Sequence, residues 1–442
     1  TSSGVFFSWI FYLPMAIAGV PPEIFAILAL VDLLYQFWVH TEQAGKLGSL
    51  DRVFCSPSNH RVHHAVNTQY LDKNYGGILV LWDRLFGSFA VEEEKCVYGT
   101  RGQLNSWDPL WANLEVYTAL AQDSWRTRHW ADKVRVWFKP PGWQPADLAL
   151  AHPKPEFRLE AVTRFNPPLR RTQQWFAAAQ FAATLVAIAL LLWHVDAMPM
   201  VDAAIWCVGL SIGVWATGRF LQGTLSMLEV LAIQAAALAT VSAIGLLGWH
   251  ALLKPLPIVF AILFVAAPAL STASKPYFSA FLTAALLFSL GGDIALLWPE
   301  SWFILGLGLF LIAHGFYIAL FRQGQVWFPS RTALAAVLVV GAGMYAVIWP
   351  GLSDPVLKIA VAVYVSVISL MAAQAIGRAT VLQDAPSRWV AVAACIFMLS
   401  DACIAINKFV TPLPWAGLWI LATYYTAQLL IARHARPPHP AV

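Results

Sequence analysis

The sequence predicts an all-α, polytopic integral membrane protein, and three observations carry that prediction. Of 442 residues, 59% are hydrophobic and 12% charged, against about 25% charged in an ordinary soluble domain. Mean hydropathy is +0.62, and several apolar stretches approach the roughly 20 residues that cross a bilayer. The charges are also segregated. Residues 1–39 hold 2 of the Asp, Glu, Lys and Arg side chains, 40–173 hold 31, 174–226 hold 3 and 227–442 hold 16. A helical hairpin, a polar block at the membrane interface and about ten transmembrane helices are expected. A soluble globular enzyme is excluded.

The hairpin comes from apolar runs at 5–18 and 24–39, separated by Gly19-Val20-Pro21-Pro22, where the proline pair cannot continue a helix. The polar block ends in Pro- and Arg-rich sequence from His152 to Arg171. Within it, Leu110, Leu114, Tyr117 and Ala121 recur at helical spacing, among Trp107, Trp111, Trp125, Trp130, Trp137 and Trp143. Tryptophan-rich amphipathic helices lie at headgroup level; the alternative is the aromatic core of a soluble domain. Ten apolar segments follow, at 176–193, 203–219, 226–249, 256–270, 277–298, 302–321, 332–349, 355–376, 388–407 and 414–432. The segment 256–270 is short for a span.

A net charge of +4 argues against nucleic acid as a partner. Cys55, Cys96, Cys207, Cys395 and Cys403 form no CxxC pair, which supports neither a disulfide framework nor a zinc ribbon. Thr1 opens the chain with no charged n-region before the first apolar run, so part of the protein is expected to lie upstream.

His60, His63 and His64 form an HxxHH cluster, and His40 closes the apolar helix that delivers the chain into the polar block. Positions i, i+3 and i+4 share a helix face, so imidazoles there can converge on a metal. Imidazole suits Fe, Zn, Cu and Ni alike. A solvated or hydrogen-bonded histidine cluster is the alternative. Together with Tyr35-Gln36-Phe37-Trp38-Val39-His40-Thr41-Glu42, Asp72-Lys73-Asn74-Tyr75-Gly76-Gly77 and Leu81-Trp82-Asp83-Arg84-Leu85-Phe86-Gly87-Ser88-Phe89, the cluster resembles the fatty acid hydroxylase/sterol desaturase superfamily, in its alkylglycerol monooxygenase branch. The resemblance covers about residues 1–250. It implies a di-iron oxygenase that hydroxylates the carbon beside an ether oxygen, using O2 and a tetrahydropterin such as tetrahydrobiopterin, with His40, His60, His63 and His64 as iron ligands. Asn59 departs from the histidine often found before this box. The two earlier histidine boxes are expected upstream of residue 1, which leaves half a metal site in the chain.

Two acids fall within apolar segments, Asp293 and Asp401, with His314 and Tyr317 at i and i+3 and with Lys254 and Lys408 at helix ends. A charge at membrane depth is costly, so such acids are functional candidates. The alternative is an Asp–Lys or Asp–His pair that only joins helices. In order, Lys254-Pro255, Phe288-Ser289-Leu290-Gly291-Gly292-Asp293, Phe310-Leu311-Ile312-Ala313-His314-Gly315-Phe316-Tyr317, Ser400-Asp401, Asn407-Lys408-Phe409 and Thr423-Tyr424-Tyr425-Thr426-Ala427-Gln428 resemble the YhhN-like lysoplasmalogenase family over 251–442. The resemblance implies cofactor-free hydrolysis of a vinyl ether to a fatty aldehyde. Asp293 and Asp401 would be catalytic, and Lys254, His314, Tyr317, Asn407, Lys408, Tyr425 and Gln428 would bind substrate. One carboxyl protonates the vinyl carbon and the other activates water, as in glycosidases with their oxocarbenium-like transition state.

The combined reading is a bifunctional ether-lipid enzyme with domains at 1–250 and 251–442, acting on alkylglycerols and lysoplasmalogens in a bacterial inner membrane or the endoplasmic reticulum. Its rivals are a sterol or fatty acid hydroxylase domain and a transporter or proton channel relaying through Asp293, His314 and Asp401. The positive-inside rule places the polar block and its histidine box in the cytoplasm. Ten spans then put Arg219, Lys275, Arg322, Arg331, Arg378, Arg388, Arg433 and Arg436 inside, with only Lys254, Lys358 and Lys408 outside. Both acids fall in the outer half.

Overall fold

The computed structural model describes residues 2–140, 142–154, 156–269 and 276–435, with backbone alone at 2–7, 268–269 and 276–278. The regular structure among these residues is helical, apart from single bridges pairing Phe54 with Leu79 and Ala65 with Tyr98. Eight helices among the described residues are long and apolar enough to cross a membrane. Lys275 and Arg436, used in the charge asymmetry, lie outside the described residues.

The chain divides into two compact units, 1–166 and 167–442. This division falls earlier than the motif-based boundary at 250/251, because three helices after residue 167 pack with the C-terminal bundle.

In the first unit, α1 (Ser2–Ile17) and α2 (Pro22–Val39) form the expected hairpin. Gly19 turns the chain at φ +80°, and Pro22 starts α2 with a preset φ. The short helix α3 (Pro57–His63) carries the histidine cluster. It begins where Ser56 accepts a hydrogen bond from the Asn59 N–H and Pro57 takes the first turn. Helices α4 (Leu81–Phe86), α5 (Pro109–Arg126), α6 (Trp130–Arg135) and α7 (Ala146–Ala151) complete the polar block. Trp125 and Trp130 are 86% and 82% exposed, so these rings do not form an aromatic core.

The second unit contains α8 (Arg171–His194), α9 (Met200–Leu221), α10 (Met227–Ala243), α11 (His250–Leu253), α12 (Leu256–Ala269), α13 (Pro276–Ala295), α14 (Pro299–Arg322), α15 (Arg331–Ile348), α16 (Pro355–Leu382), α17 (Ala385–Phe409) and α18 (Ala416–His434). The ten longer ones match the ten apolar segments. The expected segment 226–249 stops at Ala243, where Gly245 and Trp249 both take positive φ. α11 restarts at His250 and runs into α12, giving an 18-residue apolar stretch in place of the short 256–270. α10 packs on α12 and α18, α13 on α14, α14 on α16, and α17 on α18. α15 packs chiefly on α16. The core joins Ile258, Leu286, Tyr317, Met371, Phe397 and Tyr425. Close approach of α13 and α14 depends on Gly292, whose added Cβ would lie 2.5 Å from the Phe310 ring.

Buried and half-buried polar groups sit at one end of this bundle. Arg378 donates to the carbonyls of Phe321 and Gln323, Gln374 bonds both Val326 and Phe328, and Arg433 pairs with Glu229. These contacts satisfy loop backbone that the bilayer could not.

Candidate functional sites

The first site lies between the end of α2 and α3. The Nε2 atoms of His40, His60 and His64 converge, at 2.8 Å for His60–His40 and 3.1 Å for the other two pairs. His60 on α3 and His64 at its C-cap supply two imidazoles, and the C-cap of α2 supplies the third. His63 stands apart from this triangle, its Nδ1 3.4 Å from the Lys73 carbonyl. The Nδ1 of His40 is 2.6 Å from the Gln36 carbonyl, which assigns its proton to Nδ1 and leaves Nε2 as a lone-pair donor. Burial, then the neighbouring His40, His64 and His63, push His60 down to about 3. Burial, then His63 and His40, lower His64 as well. Neutral rings with facing lone pairs repel unless a cation or shared protons sit between them. The donor set therefore fits one borderline metal ion such as iron.

The motif residues around the triangle are its frame. Gly77 passes so close to α2 that a Cβ would lie 2.8 Å from Asp32 Oδ1. Asp83 accepts from the N–H groups of Tyr75 and Gly76 and from the Ser88 hydroxyl. Asn59, the departure from the family pattern, donates to the carbonyls of Asp51 and Phe54. Arg61 bridges Glu92 to the carbonyls of Thr41 and Ala44, which ties the chain just after His40 to α3. Burial alone would raise the Glu92 carboxyl, but hydrogen bonds from Arg61 and Ser58 outweigh it and hold Glu92 below its usual range.

The second site is a cavity of about 480 Å³ in the C-terminal bundle, at the end opposite the Arg378 and Gln374 contacts. Asp293, Asp401, Lys254, Tyr364 and Tyr424 face it, in walls that are otherwise almost wholly apolar. α14 contributes Phe303, Leu307 and Phe310, and α15 lines it from Ala336 to Ile348. Each acid holds a tyrosine: the Tyr424 hydroxyl donates to Asp293 Oδ2 at 2.7 Å and the Tyr364 hydroxyl to Asp401 Oδ2 at 2.6 Å. Lys254 donates to the Leu296 carbonyl at 3.0 Å, and its own carbonyl accepts from Tyr425 at 2.7 Å.

Of the residues expected to bind substrate, Lys254 faces the cavity. Tyr317 and Gln428 are fully buried and hydrogen-bonded to each other. His314 packs edge-on against the rings of Tyr364 and Phe397, and neither of its ring nitrogens makes a hydrogen bond of normal geometry. Asn407 accepts from the Leu413 N–H and so shapes the turn before α18. Lys408 is exposed, its ammonium 4.5 Å from the centre of the Phe303 ring. Tyr364 belongs to none of the sequence motifs, and Tyr424 belongs to one only as part of Thr423-Tyr424-Tyr425-Thr426-Ala427-Gln428. The available signal was a phenol inside an apolar span, which needs a buried partner.

Comparison with known proteins gives two matches along the chain. The fatty acid hydroxylase family model covers residues 1–88 and the YhhN family model residues 249–435. Alkylglycerol monooxygenase of Homo sapiens is 38% identical over 183 residues, 41% of this chain and 41% of that protein. The Danio rerio alkylglycerol monooxygenase is 44% identical over 140 residues, 32% of this chain and 31% of its own length. Lysoplasmalogenase TMEM86A of Homo sapiens is 35% identical over 189 residues, 42% of this chain and 77% of that protein. The chain thus spans about two fifths or less of these monooxygenases and most of the lysoplasmalogenase. No solved structure matches it.

Proposed function

The chain belongs to the YhhN family, and from that premise we propose that its C-terminal bundle hydrolyses the vinyl ether bond of lysoplasmalogens, releasing a fatty aldehyde and a glycerophospho-base. The observation that carries this reading is the pair of carboxyl groups, each held by a tyrosine hydroxyl, in one apolar cavity. Proton transfer to the vinyl carbon β to oxygen leaves an oxocarbenium ion. Water adds to it, and the hemiacetal collapses to aldehyde and alcohol. This needs one carboxyl that gives a proton and one that takes a proton from water. The apolar wall receives the alkenyl chain. Lys254, and Lys408 on the cavity-lining Phe303, lie at the same end of the bundle and favour an anionic head group there.

The histidine triangle supports a second activity, oxidative cleavage of an alkyl ether of glycerol. His40, His60 and His64 would hold one iron, which would supply O2 activation with a tetrahydropterin as reductant. This chain's own contribution is to present three neutral imidazole nitrogens and to fix His40 through Gln36. Ligands for a second iron are not found among the described residues. Both activities release a fatty aldehyde, so the chain reads as a bifunctional ether-lipid enzyme. Its histidine box is assigned to the cytoplasmic side.

The test is aldehyde release by the purified chain in proteoliposomes supplied with a 1-alkenyl lysophospholipid. Asp293→Asn and Asp401→Asn should each lower kcat by at least about 100-fold. Parental rates in either variant would make that carboxyl structural. Ion flux without aldehyde would favour the transporter reading.

A further inference from the structure

The two carboxyl groups are not equivalent. A buried hydrogen-bond chain ends on Asp293: the Tyr317 hydroxyl donates to Gln428 Oε1, Gln428 Nε2 donates to the Tyr424 oxygen at 3.4 Å, and Tyr424 donates to Asp293 Oδ2 at 2.7 Å. Every donor in that chain points toward the carboxylate. Successive bonds polarise one another in a low-dielectric interior and favour negative charge at the terminus. Lys254 lines the same cavity and acts electrostatically on Asp293 rather than on Asp401. Among the described residues Asp401 has a single donor, Tyr364 at 2.6 Å. The far side of Tyr364 meets the His314 ring, which makes no hydrogen bond of normal geometry.

We propose that Asp293 is the ionised carboxylate that takes the proton from water, and that Asp401 is the protonated carboxyl that gives its proton to the vinyl carbon. Tyr424, Gln428 and Tyr317 then form a positioning chain for the base. This rests on the vinyl ether reading above. The cycle balances without a further reactant. Asp401 gives its proton to carbon, and Asp293 takes one from water as the water oxygen bonds to the oxocarbenium carbon. As the hemiacetal collapses, Asp401 recovers a proton from its hydroxyl while Asp293 returns one to the departing glycerol oxygen.

The pH dependence of kcat/KM tests the assignment, because the acidic limb reports the base and the alkaline limb the acid. The titratable groups facing Asp293 are Lys254 at the end of α11 and Tyr424 and Tyr425 of α18. Facing Asp401 is Tyr364 of α16, with His314 of α14 behind it. Tyr424→Phe removes a donor to a carboxylate and should move the acidic limb up by about one pH unit, leaving the alkaline limb in place. Tyr364→Phe should move the alkaline limb up and leave the acidic limb. Lys254→Met, which keeps the hydrogen-bond chain, should again move only the acidic limb upward and serves if a tyrosine variant does not fold. The opposite pairing of variants with limbs, or limbs unmoved in all three, overturns the assignment while aldehyde release stands. Absence of aldehyde from the parent chain overturns the vinyl ether reading itself.

Discussion

Gly292→Ala is the most informative single change near the acids, because it acts on Asp293 through packing alone. A Cβ at Gly292 would lie 2.5, 2.7 and 3.0 Å from three atoms of the Phe310 ring. Ordinary contact begins at 3.4 Å, so the ring must retreat by about 1 Å in an interior packed without spare room. Phe310 stands edge-on to Tyr424, ring centres 5.7 Å apart, and to Phe397 at 6.5 Å. Its retreat therefore presses on the tyrosine that holds Asp293. Overpacking of this kind costs about 1–3 kcal/mol, and a displacement near 1 Å at a reacting group costs on the order of 10–100-fold in rate. Aldehyde release should show kcat down by that factor with little change in KM, in protein that still elutes as one species. Phe310→Leu in the same chain vacates the space and should recover most of the loss, a coupling that a double-mutant cycle measures. Parental kcat in Gly292→Ala, or a loss that Phe310→Leu does not relieve, would refute the packing argument.

Elemental analysis of the purified 442-residue chain should find at most one tightly held iron, and His40→Ala, His60→Ala or His64→Ala should each weaken binding by at least about tenfold, with a smaller effect from His63→Ala. Glu92, held below its usual range in the folded protein, contributes stability that is present above about pH 4.5 and is lost as pH falls through its lowered value. Melting curves of Glu92→Gln should lack that acid dependence. After replacement of the native cysteines, single cysteines at Ser353 and Thr411 should react with an impermeant maleimide in intact cells, whereas Gln323 and Asp384 should not. The reverse pattern would invert the proposed topology.

The membrane helices were the most legible part of the fold, because an apolar run long enough to cross a bilayer is a local feature. Each of the ten apolar segments coincides with a helix. Their exact starts were not read, although Asp354, Asp384 and the Ser226 and Glu229 box each cap the backbone a few residues on. The histidine site was legible in part. Helical spacing groups His60, His63 and His64, yet α3 ends at His63, and the third nitrogen comes from His40, 20 residues upstream of His60. The tyrosine partners were the least legible. Tyr364 and Asp401 are 37 residues apart and Tyr424 and Asp293 are 131 apart. No periodicity encodes a pairing at that separation. Lys408 was expected to bind substrate, with an Asp–Lys pair as the alternative, because it stands at a helix end near the level of an acid. Position along the helix did not specify direction around it, and the side chain lies over Phe303.

The placement of α15 has a kinetic consequence. This helix forms a long apolar wall of the cavity and packs chiefly on α16, and α14 adds Phe303, Leu307 and Phe310 to the lining. On the proposed reaction, a single-tailed substrate entering along that wall from the surrounding leaflet would never desorb into water, which would make the bilayer the solvent of the reaction. Turnover should then follow the mole fraction of substrate among the lipids. Adding inert phospholipid at constant bulk substrate should slow the enzyme, as surface dilution does for any catalyst fed from within a membrane.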